Sequence, residues 1–555
     1  MTHRADTPPI RGIFRTDARA RAAYAEGAGI YRILPAAVAV PQDAADVVTL
    51  VRWAAERGQS LIPRGAGSAM PGSNVGDGIV VDLTALEPQR IALAPESLTA
   101  TTSAALPWAA LTADAQDRAG LRLPPDPSSG RWATLGGMVA TNAAGARTVR
   151  YGPIRPWVQE LTLVTADGEI ARLRRGQRTS SGSAVERRFA TGVAPAVTAQ
   201  AELIRSRFPR TRKNTAGYAL DAWLHSGDLL DLVIGAEGTL GIVTEITWKL
   251  APISPHRSSL RVVLGDLAAL PEAVSALLAL EPSALELLDR TFLDVVPATR
   301  LPAPVAGLGP GAQAVLLVEF EGDDPGWVRG AVSDASRLMG PLAAEVETAL
   351  TVPEVEAIWE LRHAASPILA ALPEHRRSLQ VIEDGCVPVP RLGEYVALVR
   401  ESTRRHGVPA VIFGHAGDGH VHVNLLPDTT RPGWQDQLVT IYDEVSDGLI
   451  RLGGTPSGEH GDGRLRAGLM RRIFGPEIVA LFGAVKDAFD PSGIFNPGVK
   501  LPFDGAPPIT RLKAGADAVP IPADIAAGLR AIERAGRYET PRLALADRGA
   551  PHEPR

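Results

Sequence analysis

The stretch that decides the fold is residues 411–424, which read VIFGHAGDGHVHVN. A β-branched run enters a glycine-rich turn, and strand-like alternation resumes at His420, His422 and Asn424. Because successive residues of a strand face opposite sides, these three side chains would share one face, while His415 lies in the turn. Three of the 11 histidines of the chain thus fall within residues 415–422. The stretch predicts two strands joined by a turn that concentrates imidazoles.

A second glycine-flanked cluster follows at residues 457–463, which read SGEHGDG and set Glu459 beside His460. Two imidazoles and one carboxylate form a ligand set suited to zinc, iron or manganese. The alternative is a pair of polar turns whose histidines make ordinary hydrogen bonds. Spacing alone does not decide between the two interpretations.

Composition limits the classes of protein to which the chain can belong. Its 555 residues suggest three or four domain-sized units, and 45% hydrophobic with 21% charged residues is typical of a globular protein. The net charge of -5 gives no basic footprint, so nucleic acid is not an expected partner. A single cysteine, Cys386, excludes an intramolecular disulfide and a cysteine-ligated iron–sulfur cluster.

The N-terminal sequence MTHRADTPPIRGIF lacks the apolar core of a signal peptide. No run of about 18 apolar residues is present, so we expect no membrane span. A cytoplasmic location is the expectation from these two features.

A glycine-rich loop follows the first predicted strand. The apolar pattern over 38–58 predicts a helix that leads into a short strand, Leu61–Ile62, and then into PRGAGSAMPG over 63–72. Such a loop suits an anion, because unhindered backbone N–H groups can point inward. It is not a dinucleotide-binding fingerprint, since Met70 stands at the third glycine position, and a plain hairpin turn stays open as the alternative.

Three further segments carry glycine, proline or small residues. Residues 123–127, LPPDP, form a rigid extended segment because proline fixes φ. Residues 133–145, ATLGGMVATNAAG, are small enough to let another element or a flat ligand approach the backbone. Residues 229–250 contain GAEGTLGIVTEI, which we interpret as a strand pattern interrupted by glycines.

Taken together, PRGAGSAMPG, LGGMVATNAAG, the Tyr151–Gly152 pair and GAEGTLGIVTEI resemble the FAD-binding domain of the vanillyl-alcohol oxidase/p-cresol methylhydroxylase (PCMH) flavoprotein superfamily. The resemblance implies FAD as the cofactor. Many members of that superfamily bind the flavin covalently through a histidine in the first loop. Here Gly67–Met70 contains neither histidine nor cysteine, so FAD is expected to be held non-covalently.

The same resemblance implies two sets of cofactor-binding residues. The first would wrap the pyrophosphate: Arg64, Gly65, Ala66, Gly67, Ser68, Met70, Pro71 and Gly72. The second would lie along the rest of the cofactor: Pro125, Asp126, Gly136, Gly137, Thr141, Gly145, Ala146, Glu237, Gly238, Gly241 and Ile242.

From about residue 256 the pattern changes to alternating strands and helices, which predicts an α+β cap on an antiparallel sheet. A helical run over 355–372 sets Trp359, Arg362 and Ser366 at three- and four-residue spacing, so they could share a face. An arginine on such a face can clamp a carboxylate with two hydrogen bonds. The alternative for Arg362 is a solvated surface position.

The second half resembles the FAD-linked oxidase C-terminal domain of the D-2-hydroxyacid dehydrogenases, which include D-2-hydroxyglutarate and D-lactate dehydrogenases and the glycolate oxidase flavin subunit. The motifs that carry it are the 359–366 helix, VIED at 381–384, GHAGDGHVHVN, SGEHGDG, and FDPSGIFNPG at 489–498. The resemblance implies an α+β fold, with a two-subdomain PCMH-type FAD-binding domain followed by an α+β substrate domain on an antiparallel sheet. The expected division is a lead-in over 1–35, the two domains over 36–253 and 254–500, and a tail over 501–555.

Position by position, the resemblance implies a divalent metal, zinc first with manganese or iron as alternatives. The implied roles are metal ligation by His415, His422 and Glu459, proton abstraction by His460, and carboxylate binding by Arg362 assisted by Ser366 and Asn424.

Two positions depart from the family pattern. His420 stands where the common motif has asparagine. The region before Asp384 lacks the lysine that meets the distal carboxylate in the D-2-hydroxyglutarate enzymes.

The sequence therefore predicts metal-assisted, FAD-dependent oxidation of a D-2-hydroxy acid, of the D-lactate or D-2-hydroxyglutarate type, to the 2-oxo acid. Electrons would pass to a non-nicotinamide acceptor: an electron-transfer protein, a quinone or a partner subunit. Two alternatives stay open, an FAD oxidase of another alcohol that uses O2 and a non-catalytic flavin subunit of a multi-subunit oxidase. A homodimer also stays open.

Overall fold

The computed structural model describes residues 7–177, 182–295, 311–363, 365–503, 505 and 507–547. Within them the strands, in chain order, are β1 Ile13–Arg15, β2 Ala37–Val40, β3 Leu61–Arg64, β4 Ile79–Asp82, β5 Ile91–Ala94, β6 Thr99–Ser103, β7 Leu121–Arg122, β8 Val158–Val164, β9 Ile170–Arg174, β10 Ile242–Lys249, β11 Ala251–Pro252, β12 His256–Leu264, β13 Ala284–Asp289, β14 Ala314–Gly322, β15 Glu345–Ala349, β16 Gly385–Cys386, β17 Ala410–Gly414 and β18 His420–Leu425. The predicted α+β class is confirmed.

Helices connect and cover these strands. Their bounds are Ala18–Ala23, Ala44–Arg57, Trp108–Ala119, Leu135–Thr141, Thr148–Tyr151, Ala184–Arg188, Ala194–Ala199, Ala201–Arg207, Leu220–Ser226, Leu230–Val233, Leu270–Leu278, Arg290–Val295, Pro325–Met339, Val352–His363, Ala365–Ala370, Leu392–Arg405, Trp434–Arg451, Gly463–Arg466, Met470–Phe489, Ala523–Ala535 and Leu543–Asp547. In the described part of the chain, no helix has both the length and the apolar character needed to cross a membrane.

The first sheet has the order β1-β2-β4-β3, with β2, β4 and β3 parallel. The helix predicted over 38–58 begins only at Ala44, because residues 37–40 form β2. The Asp43 carboxylate accepts hydrogen bonds from the N–H groups of Ala45 and Asp46, and such a cap fixes where a helix starts. Gly58 ends the helix as predicted, with a left-handed φ of +61°.

A second, antiparallel sheet has the order β5-β6-β10-β8-β9. The strand pattern predicted over 229–250 is wrong in its first half, where residues 230–233 are helical and only Ile242–Lys249 form a strand. Gly235 and Gly238 have φ values of +90° and +70°. Left-handed residues cannot continue a strand, so the chain turns there instead.

The second half is built on a seven-stranded sheet with the order β15-β12-β14-β13-β17-β18-β16, and every pairing between neighbours is antiparallel. This is the antiparallel sheet that the sequence predicts. The quoted stretch forms β17 and β18, with Phe413 opposite His422. The turn between them holds His415 and is closed by Gly419, which has a φ of +69°.

The two halves meet through the SGEHGDG segment. The buried Glu237 carboxylate, in the first half of the chain, accepts hydrogen bonds from the N–H groups of Asp462 and Gly463. Lys500 lies between Glu237 and Asp462, with its Nζ 3.2 Å from one carboxylate and 2.9 Å from the other. These contacts hold the segment that carries Glu459 against the first half of the molecule.

The described part of the tail packs against the N-terminal part of the chain. Its helix Ala523–Ala535 buries Ile525 and Leu529 against Tyr24 and the helix Ala18–Ala23. Glu533 of the same helix forms ion pairs with Arg377, Lys513 and Arg530. The described part of the tail is therefore a folded part of the molecule.

Candidate functional site

A cleft lined by glycine and other small residues runs through the first half of the molecule. Twelve residues of the predicted cofactor set line it: Arg64, Gly65, Ala66, Gly67, Ser68, Gly136, Gly137, Thr141, Glu237, Gly238, Gly241 and Ile242. A Cβ atom at Gly65 would lie 2.2 Å from Thr134 Oγ1, and Gly67 has a φ of +80°. Larger side chains would not fit these two positions, so the backbone stays open to a ligand.

Arg64 supports the loop rather than reaching into the cleft as a charged arm. Its buried guanidinium donates hydrogen bonds to the carbonyl oxygens of Tyr24, Glu26 and Asn74. These bonds tie the loop to the N-terminal segment and fix its shape.

The remaining predicted cofactor residues lie elsewhere. Met70, Pro71, Gly72 and Pro125 are not among the described residues that line this cleft. The Pro71 carbonyl instead accepts hydrogen bonds from the N–H groups at positions 464 and 465, which connect the first loop to the second half. Asp126, Gly145 and Ala146 line a neighbouring cavity.

This second cavity, of about 430 Å³, lies between the two halves of the molecule. It shares Pro127 and Ser129 with the cleft, so the two spaces adjoin. Its other wall carries predicted catalytic and metal-binding residues: Arg362, His415, Glu459 and His460. A cavity of this size, enclosed by a few convergent polar groups, is typical of a small-molecule site.

The three predicted metal ligands form a regular triangle. His415 Nε2 and His422 Nε2 lie 3.4 Å apart, and each lies 3.4 Å from Glu459 Oε1. A tetrahedral ion with bonds of about 2.1 Å has ligand atoms roughly 3.4 Å apart. The donor set and its spacing therefore fit a divalent ion such as zinc.

Both imidazoles point Nε2 toward Glu459. His415 Nδ1 donates a hydrogen bond to Glu286 Oε1 at 2.6 Å, and His422 Nδ1 donates one to the Glu383 carbonyl at 3.2 Å. Burial lowers the pKa of His415, but the charge of Glu286 outweighs this and raises it, so the metal-free site favours a protonated ring. In the neutral ring that a metal binds, the proton stays on Nδ1 and Nε2 presents its lone pair. A carboxylate or carbonyl behind a histidine commonly orients it for metal binding.

His420 stands beside this triangle. Its ligand atom lies within 4.8 Å of those of His415, His422 and Glu459, and its side chain is completely buried. Nε2 donates to Asp384 Oδ1 at 2.9 Å, whereas Nδ1 has no hydrogen-bond partner among the described residues. Burial lowers the pKa of His420 to about 3, so the ring is neutral and offers a lone pair.

His460 lies at the edge of the cluster. Its Nδ1 is 2.6 Å from Glu383 Oε2, and its Nε2 is 3.5 Å from Glu459 Oε1. Burial lowers the pKa of His460, but the charges of Glu383 and Asp384 outweigh that effect and raise it to about 10. These acids favour a protonated ring in the metal-free site.

Arg362 reaches the same cavity from the helix Val352–His363. Its Nε donates to Glu286 Oε2 at 2.6 Å, and its guanidinium lies 5.0 Å from the centre of the Phe413 ring. Burial raises the pKa of Glu286, but His415 and Arg362 more than offset this and lower it to about 2. Glu286 is therefore an ionised carboxylate that contacts both Arg362, the predicted carboxylate clamp, and His415, a predicted metal ligand.

The two predicted assisting residues are placed differently. The Asn424 side chain is buried and its Oδ1 accepts a hydrogen bond from Ser378 Oγ at 3.0 Å, away from the residues that line the cavity. Ser366 falls in the helix Ala365–Ala370, but its side chain lies outside the described residues.

Sequence reasoning missed several residues that hold the cluster together. Glu286 interrupts the apolar strand ALELLD, and a completely buried acid in such a strand is the signal that could have found it. Arg466 forms ion pairs with Glu383 and Asp384, and Lys213 contacts Glu459. No spacing rule connects such distant positions, so their contacts follow only from the fold.

Comparisons with known proteins match both halves of the chain. The family model for an FAD binding domain matches residues 35–174, and the model for FAD linked oxidases, C-terminal domain, matches residues 253–499. In overall fold the chain is similar to 4-ethylphenol oxidase from Gulosibacter chungangensis, with a TM-score of 0.62, 16% identity and coverage of 88% of this chain and 94% of that one. At that identity the likeness concerns the fold alone.

Curated relatives cover most of the sequence. The chain is 30% identical to the glycolate oxidase subunit GlcD of Bacillus subtilis, over 84% of this chain and 89% of that protein. It is 27% identical to D-lactate dehydrogenase of Archaeoglobus fulgidus, over 83% and 90%. It is 29% identical to D-2-hydroxyglutarate dehydrogenase of Pantoea ananatis, over 86% of this chain and 49% of that protein. With two matching family models and a relative aligned along most of both chains, this protein belongs to the FAD-linked oxidase family that contains GlcD and the D-lactate and D-2-hydroxyglutarate dehydrogenases, and it is an FAD-dependent oxidoreductase.

Proposed function

We propose that this protein oxidises a D-2-hydroxy acid to the 2-oxo acid with FAD and a divalent metal. The observation that carries the proposal is the triangle of His415 Nε2, His422 Nε2 and Glu459 Oε1. His415 and Glu459 line the cavity that adjoins the glycine-lined cleft. Arg362 lines the same cavity. A carboxylate-binding cation beside a metal-binding triangle suits a substrate with adjacent carboxylate and hydroxyl groups.

In this proposal FAD is held non-covalently. The residues that line the cleft from Arg64 to Ser68 and from Glu237 to Ile242 would hold its nucleotide part, and Asp126, Gly145 and Ala146 its other end. The first loop, Gly67–Met70, contains neither histidine nor cysteine, which supports non-covalent binding. FAD supplies the two-electron acceptor that the side chains of a protein lack.

The metal would be held by His415, His422 and Glu459, with zinc first and manganese or iron as alternatives. A divalent ion bound to a substrate hydroxyl lowers the pKa of that hydroxyl. His420 adds a neutral lone pair near the triangle, and carboxylate with three imidazoles is a set that also suits manganese or iron.

Two side chains would act on the substrate. Arg362 binds its carboxylate and offsets the negative charge, while Glu286 fixes the guanidinium from behind. His460 accepts the hydroxyl proton at Nε2, because Nδ1 is already bonded to Glu383. A base must be neutral, and the positive charge of an ion bound beside Glu459 would counter the acids that favour protonation. Ser366 and Asn424 are proposed to assist.

The names of the relatives suggest D-lactate and D-2-hydroxyglutarate as first substrates to test. The region before Asp384 has no lysine that could bind a second carboxylate. This favours D-lactate over D-2-hydroxyglutarate as the substrate. Electrons would leave to an electron-transfer protein, a quinone or a partner subunit. The proposed division assigns FAD to residues 36–253 and substrate and metal to 254–500.

The test is anaerobic mixing of the purified flavoprotein with the D and L forms of lactate and 2-hydroxyglutarate. We expect a D acid to bleach the oxidised flavin band at about 450 nm. The L form of the same acid should leave the band unchanged, and so should the D acid after EDTA has removed the metal. A folded, yellow protein that no 2-hydroxy acid bleaches would overturn the substrate class. Bleaching that survives complete removal of metal would overturn the metal role.

A further inference from the structure

Lys213 is a buried cation that reaches the proposed metal site from the first half of the chain. Its ammonium nitrogen lies 2.8 Å from Glu459 Oε2, 3.2 Å from Asp418 Oδ2 and 3.3 Å from the Gly145 carbonyl oxygen. The side chain is only about 1% exposed. The ammonium group donates hydrogen bonds to Glu459 and to the Gly145 carbonyl, and it forms an ion pair with Asp418.

These three partners of Lys213 belong to three different segments of the chain. Gly145 lies in the small-residue segment proposed to follow the cofactor, and Asp418 lies in the turn that follows His415. Glu459 belongs to the SGEHGDG segment of the second half. One ammonium group therefore joins a cofactor segment to two segments of the proposed metal site.

Because Lys213 contacts Glu459, the two carboxylate oxygens of Glu459 have different partners. Oε2 bonds to Lys213, whereas Oε1 lies 3.4 Å from both His415 Nε2 and His422 Nε2. The hydrogen bond from Lys213 therefore engages one oxygen of the carboxylate and leaves the other facing the imidazoles.

We infer that Lys213 is a positioning residue for the metal: it fixes Glu459 as a ligand through a single oxygen and sets the affinity of the site. The terminal torsion of a glutamate is broad, so the carboxylate would rotate without this partner. It could then offer both oxygens to an ion, which changes the geometry of the site. This inference rests on the proposed function, because it requires the triangle to bind a metal.

The test measures metal affinity directly in the full-length flavoprotein. Wild type and Lys213→Met are stripped with a chelator and titrated with Zn²⁺ against a competing chelator. We expect Lys213→Met to bind zinc about 10- to 100-fold more weakly, the usual effect of removing a partner that orients a ligand. Loading with Co²⁺ gives a second readout, because its visible absorption reports coordination geometry, and we expect a changed band in the variant.

Lys500→Met is the matched control. Lys500 is equally buried at the same junction and also lies between two acids, Glu237 and Asp462, but it does not contact Glu459. Both variants leave two buried carboxylates without their cation, so both should lower thermal stability. We expect only Lys213→Met to lose zinc affinity. Lys213→Gln keeps a polar donor in the site and is a second variant with the same expected loss.

The outcomes separate this inference from the proposed function. A wild type that binds no divalent metal overturns the metal part of the proposed function and this inference with it. A wild type that binds zinc, with a Lys213 variant of equal affinity and an unchanged cobalt band, overturns this inference alone. An equal loss in Lys500→Met also overturns it, because the effect would then be general destabilisation.

Discussion

Glu286 Oε1 lies 2.6 Å from His415 Nδ1, and no solvent reaches the carboxylate. Its other oxygen lies 2.6 Å from the Arg362 Nε. One buried acid on β13 therefore holds a proposed metal ligand and the proposed substrate clamp in a fixed relation. Because ligand and clamp share one support, a change at Glu286 should affect both metal and substrate binding.

Glu286→Gln should weaken both functions. The amide has nearly the same shape but lacks the charge that favours the Nδ1–H form of His415, so we expect zinc affinity to fall about 10- to 100-fold. Chelator competition measures this change. Glu356→Gln is the control, because Glu356 lines the same cavity but is exposed and pairs with Arg257 instead. Equal zinc affinity in Glu286→Gln and wild type would show that Glu286 does not support His415 as a metal ligand.

His460→Ala should retain FAD and metal but lose flavin reduction. His460 is not part of the triangle, and its Nε2 lies 3.5 Å from Glu459 Oε1. General bases typically contribute about 10²- to 10⁴-fold, so we expect single-turnover reduction to slow by that factor. His406→Ala is the control, since that histidine pairs with Glu444. Unchanged single-turnover reduction in His460→Ala would exclude it as the base.

Arg362→Lys should raise KM for the hydroxy acid by about tenfold or more, equal to about 1.4 kcal/mol. Lysine keeps the charge but cannot clamp a carboxylate with two parallel hydrogen bonds. Steady-state assays with an artificial acceptor measure the change. Arg257→Lys is the comparison, because Arg257 lines the same cavity and makes only long contacts, 3.8–4.0 Å, with Glu356 and Glu319. An equal change in KM in Arg362→Lys and Arg257→Lys would contradict the proposal that Arg362 binds the substrate carboxylate.

Glu533 should make the docking of the tail depend on pH. Burial raises its pKa, but Lys513, Arg377 and Arg530 outweigh this and lower it from the usual 4.5 to about 2. Since the folded pKa lies below the unfolded one, the stabilisation is complete above about pH 4.5 and is lost as pH falls toward 2. The shift corresponds to about 3 kcal/mol of unfolding free energy.

Denaturation of wild type and Glu533→Gln between pH 3 and 7 measures this contribution. We expect the free energy of unfolding of Glu533→Gln to be about 3 kcal/mol below that of wild type at pH 7. This difference should narrow as the solution becomes more acidic. Glu202→Gln, at a solvent-exposed pair with Arg205, should show almost no gap. A gap for Glu533→Gln that stays constant over this range would contradict the electrostatic account.

Local patterns in the sequence predict much of this fold. The glycine-rich loop, the antiparallel sheet and the turn with His415 all follow from short-range periodicity and glycine placement. The predictions are wrong at two places. The apolar run over 38–58 includes a strand before Asp43 as well as the helix after it. The glycines after residue 233 interrupt a segment whose pattern predicts one strand. Backbone φ, which sequence alone does not give, decides both cases.

The residues that the family resemblance assigns to a metal lie close together, whereas the contacts that support them were not predicted. The ligand atoms of His415, His422 and Glu459 lie within 4.8 Å of one another. Glu286 lies 129 residues from His415 and 76 from Arg362, and Lys213 lies 246 residues from Glu459. Asn424 shares a strand with His422, yet its hydrogen bond to Ser378 is a product of packing.

The most direct test of the central claim is a metal titration of the stripped flavoprotein. Metal-free protein is mixed anaerobically with the D acid that the substrate panel identifies, and the initial rate of flavin reduction is followed as Zn²⁺ or Mn²⁺ is added. We predict a negligible rate without metal and a linear rise that ends at one ion per chain. A full rate in metal-free protein, or a rate indifferent to added metal, would contradict the claim that His415, His422 and Glu459 bind a catalytic metal.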